Sequence, residues 1–177
     1  VRLTCPVTLL ATRVGKMLST FMVAYPRVQL LVDETNRRAD VIGEGLDIAI
    51  RVRPLPLQDS DLVLRVLAER RQCLVASPQL VARWPVVAGP DDLSPWPTMD
   101  VATPKDTHRW VLFNADGERA DIRHQPRFVT QSMLALREAA LDGVGVVQLP
   151  VMMVRDELER GLLQPVLPGW EPRPETI

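Results

Sequence analysis

"VRLTCPVTLLATRVGKMLSTFMVAYPRVQLLVDE", residues Val1–Glu34, sets the architecture of the chain. "VRLTCPV" is an apolar strand candidate, and Thr8 offers a hydroxyl N-cap to a helix after it. From Leu10 the apolar positions Leu10, Val14, Met17, Leu18 and Phe21 recur at helical spacing. Tyr25-Pro26 closes that helix, because a residue before proline is pushed out of helical geometry. "VQLLVDE" is then a second strand. Further on, a short helix is predicted across Arg37 to Glu44, breaking at Gly43 and Gly45, and "LDIAIRV" forms a third strand. Strand, helix, strand, helix, strand is the order of a parallel, doubly wound sheet with right-handed crossovers.

Beyond this segment, "RPLPLQDSD" is a turn-rich loop. "LVLRVLAERRQCLVAS" is too long for one strand of a compact lobe, so it reads as a strand that passes into a second lobe near Arg71 to Val75. Pro78 starts a helix, Gln79 to Arg83, and the stretch from Pro85 to Pro97 is rich in proline and acidic turns. The second lobe then repeats the grammar. "WPTMDVA" is a strand, and "RWVLFNADGERADIRHQ" is a hairpin around Ala115-Asp116-Gly117, since Asp-Gly suits a tight turn. "PRFVT" is a strand, and "QSMLALREAALDG" is a helix with Thr130 or Ser132 near its N-cap and Gly143 past its end. "GVGVVQLP", "VMMVRDELERG" and "LLQPVLP" complete a strand, a helix ending at Gly161 and a last strand. The expected fold is α/β: two Rossmann-like lobes joined by an extended crossover, with a cleft between them. Lobe I is expected over 1–72, lobe II over 73–173, and a return crossover to lobe I begins over 174–177.

Composition narrows the function. A chain of 177 residues, 46% of them hydrophobic, can bury a sizeable core, mostly aliphatic because aromatic residues are few. The net charge is −1 and the arginines are scattered, so no basic stripe predicts a grip on DNA or on an anionic membrane by this segment. Cys5 and Cys73 sit far apart in strand-like contexts. They read as reduced core residues, with a redox switch as the alternative, and a reducing, cytoplasmic compartment fits. No signal peptide is visible and no apolar run is expected to be long enough to span a bilayer. The chain lacks a starting Met and opens inside a strand, as an excised piece would.

Enzyme chemistry finds little footing. There is no G-x-S-x-G, and "GVGVV" precedes a strand where a phosphate loop should follow one. His108 and His124 have no carboxylate or cysteine at ligand spacing and are expected in surface or hairpin roles. "RDELER" reads as a solvated helix face. No metal site and no cofactor is called for. Binding is better supported. In open α/β sheets ligands settle beyond the carboxyl ends of the strands. Thr8, Thr35, Asn36 and Arg51 follow strands of the first lobe, and Thr130, Gln131 and Ser132 follow one of the second. Hydroxyl and amide groups there, with the free N–H groups of helix N-termini, suit a carboxylate or other polar anion. Thr8 and Ser132 could instead merely cap their helices, and Arg51 could anchor its own loop through Asp59 or Asp61.

These residues carry a family resemblance. "FMVAYPRVQLLV", "ADVIGEGLDIAIRV", "DSDLVLRVLAERRQCLVASPQLVAR", "PDDL", "RWVLF" with "ADGE", and "FVTQSMLALREAALDGVGVVQLP" together resemble the effector-binding domain of LysR-type transcriptional regulators, over nearly the whole chain. The resemblance implies the type 2 periplasmic-binding-protein architecture, and a small inducer in the cleft, such as an organic acid, an aromatic compound or an amino-acid derivative. It implies dimers or tetramers of the chain. DNA would be bound only through an N-terminal winged helix-turn-helix that this sequence lacks, as it lacks the usual final strand and helix. The family's cleft contacts fall on Thr8, Thr35, Asn36 and Thr130 to Ser132, with Arg51 at a strand end bordering the cleft and Gln148 from the strand before Pro150. A periplasmic-type solute-binding protein feeding a transporter is the alternative, and an enzyme on a related two-lobe fold the third reading.

Overall fold

β1 (Arg2–Cys5) is buried at Leu3, Thr4 and Cys5, on both of its faces. That is the environment of a central strand in a parallel sheet. In the computed structural model, which describes residues 1–37, 39–54, 62–103 and 107–177, β1 lies between β2 (Leu31–Glu34) and β3 (Ile48–Ala49), parallel to both. Cys5 is in register with Glu34 and Thr4 with Ala49, so the carboxyl ends of the three strands share one edge.

The connection from β1 to β2 is α1 (Val7–Ala24), which includes one π turn at Leu10–Val14. Gly15 permits that turn: a Cβ on it would stand 2.9 Å from the Leu10 carbonyl oxygen. Pro6, in extended geometry, is the N-cap, so the helix starts one residue before Thr8 and the Thr8 hydroxyl does not cap it, contrary to expectation. Leu9 is buried, whereas Met17, Phe21, Met22, Val23 and Tyr25 are exposed. The helical spacing thus holds, but part of the apolar face has no partner among the described residues. Against the expectation of no bilayer-length apolar run, one helix passes that length. α1 has 18 residues and a mean hydropathy of 1.2, enough by length and composition alone. Arg13 and Lys16 fall in its middle, where a bilayer would make charge expensive.

In place of the helix expected across Arg37 to Glu44, residues 41–45 form a turn. Asp40 accepts the Gly43 N–H through Oδ1 at 3.0 Å, and Arg37 holds both Glu44 oxygens at 2.7 and 2.6 Å. Short polar side chains that satisfy nearby amides compete with the helix ladder. Arg37, with help from the Asp40 backbone N–H, holds the Glu44 carboxyl down to about 2. β3 is correspondingly only two residues long, and β4 (Arg53–Pro54) follows it.

The chain forms two compact units, Val1–Glu69 with Thr176–Ile177, and Arg70–Glu175. It passes between them at β5 (Glu69–Arg70) and again at a last strand, Glu175–Thr176; with β4 these pair in the order β4, last strand, β5.

The second unit is built on β6 (Gln72–Ala76), β7 (Thr98–Val101), a hairpin of β8 (Arg109–Phe113) and β9 (Arg119–Arg123), β10 (Pro126–Thr130), β11 (Val147–Pro150) and β12 (Gln164–Pro165). β6 pairs antiparallel with β11 and β12, β10 pairs parallel with β7, and a Thr98–Val146 bridge joins the two sets. Alternation along β6 divides two cores. Leu74 and Ala76 face Trp96 and the hairpin's Trp110, Leu112 and Ile122. Val75 faces α3 (Met133–Leu141) and α4 (Val151–Glu159), which follow α2 (Pro78–Val81) in the chain. The remaining strand, Glu175–Thr176, is β13.

Candidate functional site

The carboxyl edge of the first unit gathers Thr8, Thr35, Asn36 and Arg51. Asn36 Oδ1 accepts the Val7 N–H at 3.2 Å, pinning the loop after β2 to the start of α1. The Thr35 N–H donates to the Cys5 carbonyl at 3.0 Å, and Thr35 Oγ1 accepts the Arg37 N–H at 3.2 Å. Thr8 lies in the first helical turn, whose amides have no carbonyl acceptor inside the helix. Arg51, two residues beyond β3, donates from Nη2 to buried Thr4 Oγ1 at 3.1 Å and from Nη1 to the Ile50 carbonyl at 2.6 Å. The guanidinium is half-buried beside β1, and burial, with Arg53 nearby, lowers its pKa. Among the described residues no carboxylate is within ion-pair distance of Arg51; Asp59 and Asp61, the loop partners considered from sequence, lie outside them. This edge thus offers a cation, hydroxyls and first-turn amides.

Cys5 and Cys73 are both free thiols. Burial pushes each up to about 11, Arg51 opposing the shift at Cys5, so neither is a thiolate at neutral pH.

In the second unit Thr130 ends β10, and Gln131 and Ser132 lead from it into α3. Ser132 is the N-cap: its Oγ accepts the Ala135 N–H at 3.3 Å, while Thr130 Oγ1 accepts the Ser132 N–H at 3.2 Å. The capping alternative therefore describes Ser132 and not Thr8. Ser132→Ala will cost about 1 kcal/mol of stability, the usual worth of a hydroxyl cap, read as a lowered urea midpoint. Gln131 is exposed. Gln148 enters a polar chain that the sequence reading missed. Its Nε2 donates to Gln72 Oε1 at 3.1 Å, Gln72 Nε2 donates to Glu175 Oε2 at 2.9 Å, and Arg70 Nη1 pairs with the same oxygen. Arg70 Nη2 also meets Met133 Sδ at 3.6 Å, next to Ser132. Arg70 is buried, with 8% of its surface exposed. In sequence it stands in "AERRQ", where it looks like any solvated charge run.

His108 lies at the base of the β8–β9 hairpin, where the sequence expects a hairpin role. Its Nδ1 lies 2.7 Å from Asp100 Oδ2, a carboxylate contact eight residues away that no ligand spacing announces. Among the described residues no group of three metal-ligating side chains forms.

The LysR substrate binding domain family model matches residues 1–177. An HTH-type transcriptional regulator of Xanthomonas campestris pv. campestris is 31% identical over 96% of the chain and 49% of its own length. The HTH-type transcriptional regulator PtxR of Pseudomonas aeruginosa is 30% identical over 96% of the chain and 53% of its own. The full-length structure of the virulence activator AphB of Vibrio cholerae superposes with a TM-score of 0.87 at 28% identity, covering 99% of the chain and 59% of AphB. The chain thus spans about half the length of the curated relatives it matches. These relatives are transcriptional regulators, which favours regulation over the transporter reading.

Proposed function

The chain belongs to the LysR substrate-binding domain family, and we propose that it senses a small organic anion through Arg51 and the strand-edge donors around it. It is an effector-binding domain with the two-lobe, type 2 periplasmic-binding-like α/β fold, and its family is one of transcriptional regulators rather than enzymes. The observation that carries the anionic class is Arg51: a half-buried guanidinium, held in place by Thr4 and Ile50, with no carboxylate at ion-pair distance among the described residues. A carboxylate would supply the missing charge, with Thr8 and Thr35 and the first-turn amides of α1 as further donors. Thr130, Gln131, Ser132 and Gln148 are the corresponding donors of the second unit.

In the whole protein, a separate DNA-binding segment would act on an operator in the cytoplasm. The effector would act by binding one conformational state more tightly than another, since only differential affinity shifts an equilibrium. Members of the family form oligomers, and the exposed apolar positions of α1 support self-association of this chain.

Calorimetric titration against small mono- and dicarboxylates tests the site. For a carboxylate that binds, Arg51→Ala will weaken affinity about 10- to 100-fold, the worth of a charge-assisted hydrogen bond of roughly 1.5–3 kcal/mol. Arg51→Lys will recover part of the loss. Equal affinity in wild type and Arg51→Ala removes Arg51 from the site.

A further inference from the structure

The base of the β8–β9 hairpin carries a cluster that the proposed effector site does not use. His108 precedes β8 and His124 follows β9, and the His124 N–H donates to the His108 carbonyl at 3.2 Å. Facing them, β7 supplies Thr98 and Asp100, two positions apart and so on one face of the strand. His108 Nδ1 is 2.7 Å from Asp100 Oδ2, and His124 Nδ1 is 2.8 Å from Thr98 Oγ1. The imidazole centroids are 6.1 Å apart. His124 stacks on Trp110 with centroids 4.1 Å apart, and its Nε2 is buried without a hydrogen-bond partner among the described residues. Thr98 and Trp110 are buried, and the side chains of His108 and Asp100 are only 15% and 19% exposed.

We propose that Asp100, His108 and His124 form a proton-operated latch, which fastens the hairpin to β7 and opens when His124 takes a charge. Among the described residues the charged or titratable groups acting on His124 are Asp100 on β7 and His108 before β8; Thr98 and Trp110, which also touch it, carry no charge near neutral pH. One carboxylate can neutralise one imidazolium. Asp100 is already committed to His108 by their contact at 2.7 Å. A charge on His124 therefore finds no carboxylate in contact with it, and its N–H at Nε2 would be buried with nothing among the described residues to accept it.

Burial pushes His124 below its ordinary value; Asp100 opposes this and His108 adds to it. The closed latch is therefore fully stable above the ordinary value of about 6.5. An opened or unfolded hairpin takes the proton more readily, so the closed state loses stability as pH falls below that value and through the lower one. Asp100 is in register with Val129, which adjoins Thr130. Opening would thus disturb strand ends beside the candidate effector donors. That consequence rests on the effector reading above; the latch itself does not.

The test needs no effector. Tryptophan emission and the amide exchange of residues 109–123 are followed on the 177-residue chain from about pH 8 to about pH 5. Opening exposes the buried Trp110 to water, so emission should shift to longer wavelength in one step with its midpoint below about 6.5. Hairpin exchange should rise at least about fivefold beyond its intrinsic pH dependence. His124→Gln should keep hairpin protection at neutral pH and abolish the step, and His108→Gln should move the midpoint upward. A flat wild-type profile, or a step that persists in His124→Gln, overturns the proposal. Should that variant fail to fold, the wild-type His124 ring resonance decides: a midpoint at or above about 6.5 overturns it, and one below supports it.

Discussion

Arg70→Met will destabilise the second unit by about 2–4 kcal/mol, through the charge it leaves behind more than through the contact it deletes. The Arg70 side chain is 9% exposed and that of Glu175 is 24% exposed. Removing the guanidinium leaves a largely buried carboxylate with Gln72 Nε2, at 2.9 Å, as its only side-chain donor among the described residues. The loss stays below the full cost of an orphaned buried charge because water reaches part of Glu175. All four tryptophans fall within Arg70–Glu175, so urea unfolding followed by their emission reports on this unit. The pair is judged by a cycle. Arg70→Met/Glu175→Gln should recover at least about 1 kcal/mol relative to the sum of the single changes, as coupled partners do. Additive losses would mean that the two charges do not depend on each other. The result bears on function because the same chain reaches Gln148 through Gln72, and Met133 beside Ser132 through Arg70.

The contrast between this pair and the strands shows which features a sequence can carry. β1, β2, β10 and β11 were legible because an apolar strand declares itself locally, and the Asp116-Gly117 turn fixes the β8–β9 register by its own geometry. α1 was legible in its period but not in its surroundings. The spacing of Leu10, Val14, Met17, Leu18 and Phe21 states that one face is apolar; whether a partner lies against it depends on elements outside the helix. The segment after Arg37 failed because glycine and acidic residues can end a helix or replace it, and here Asp40 and Glu44 spend their oxygens on local donors. Arg70 with Glu175, and Asp100 with His108, were out of reach for another reason. The first pair is separated by 105 positions and the second joins β7 to the residue before β8, so no local period links them. Among the candidate site residues, the hydrogen bonds of Asn36, Arg51, Ser132 and Gln148 depended equally on where neighbouring backbone falls.

Leu136→Ala will cost about 2–5 kcal/mol, and its neighbour on the same helix, Leu134→Ala, about 1 kcal/mol or less. Leu136 is fully buried, packed with Val75, Met99, Val147 and Leu149 against one face of the sheet, whereas Leu134 is 36% exposed. Truncating Leu136 removes the transfer energy of the lost carbons and leaves a cavity that the rigid strands on one side and α4 on the other cannot fully close. The loss also reaches the candidate site. The Leu136 N–H donates to the Ser132 carbonyl at 3.1 Å, so the first turn of α3 is held by the same residue that seats the helix on the sheet. Amide exchange should therefore quicken first at Ala135 and Leu136 and then along α3, while the Leu134 variant leaves those amides protected. Equal losses for the two variants would show that this face of α3 is not the buried one. In that case the placement of Thr130, Gln131 and Ser132 at the strand edge would fall with it.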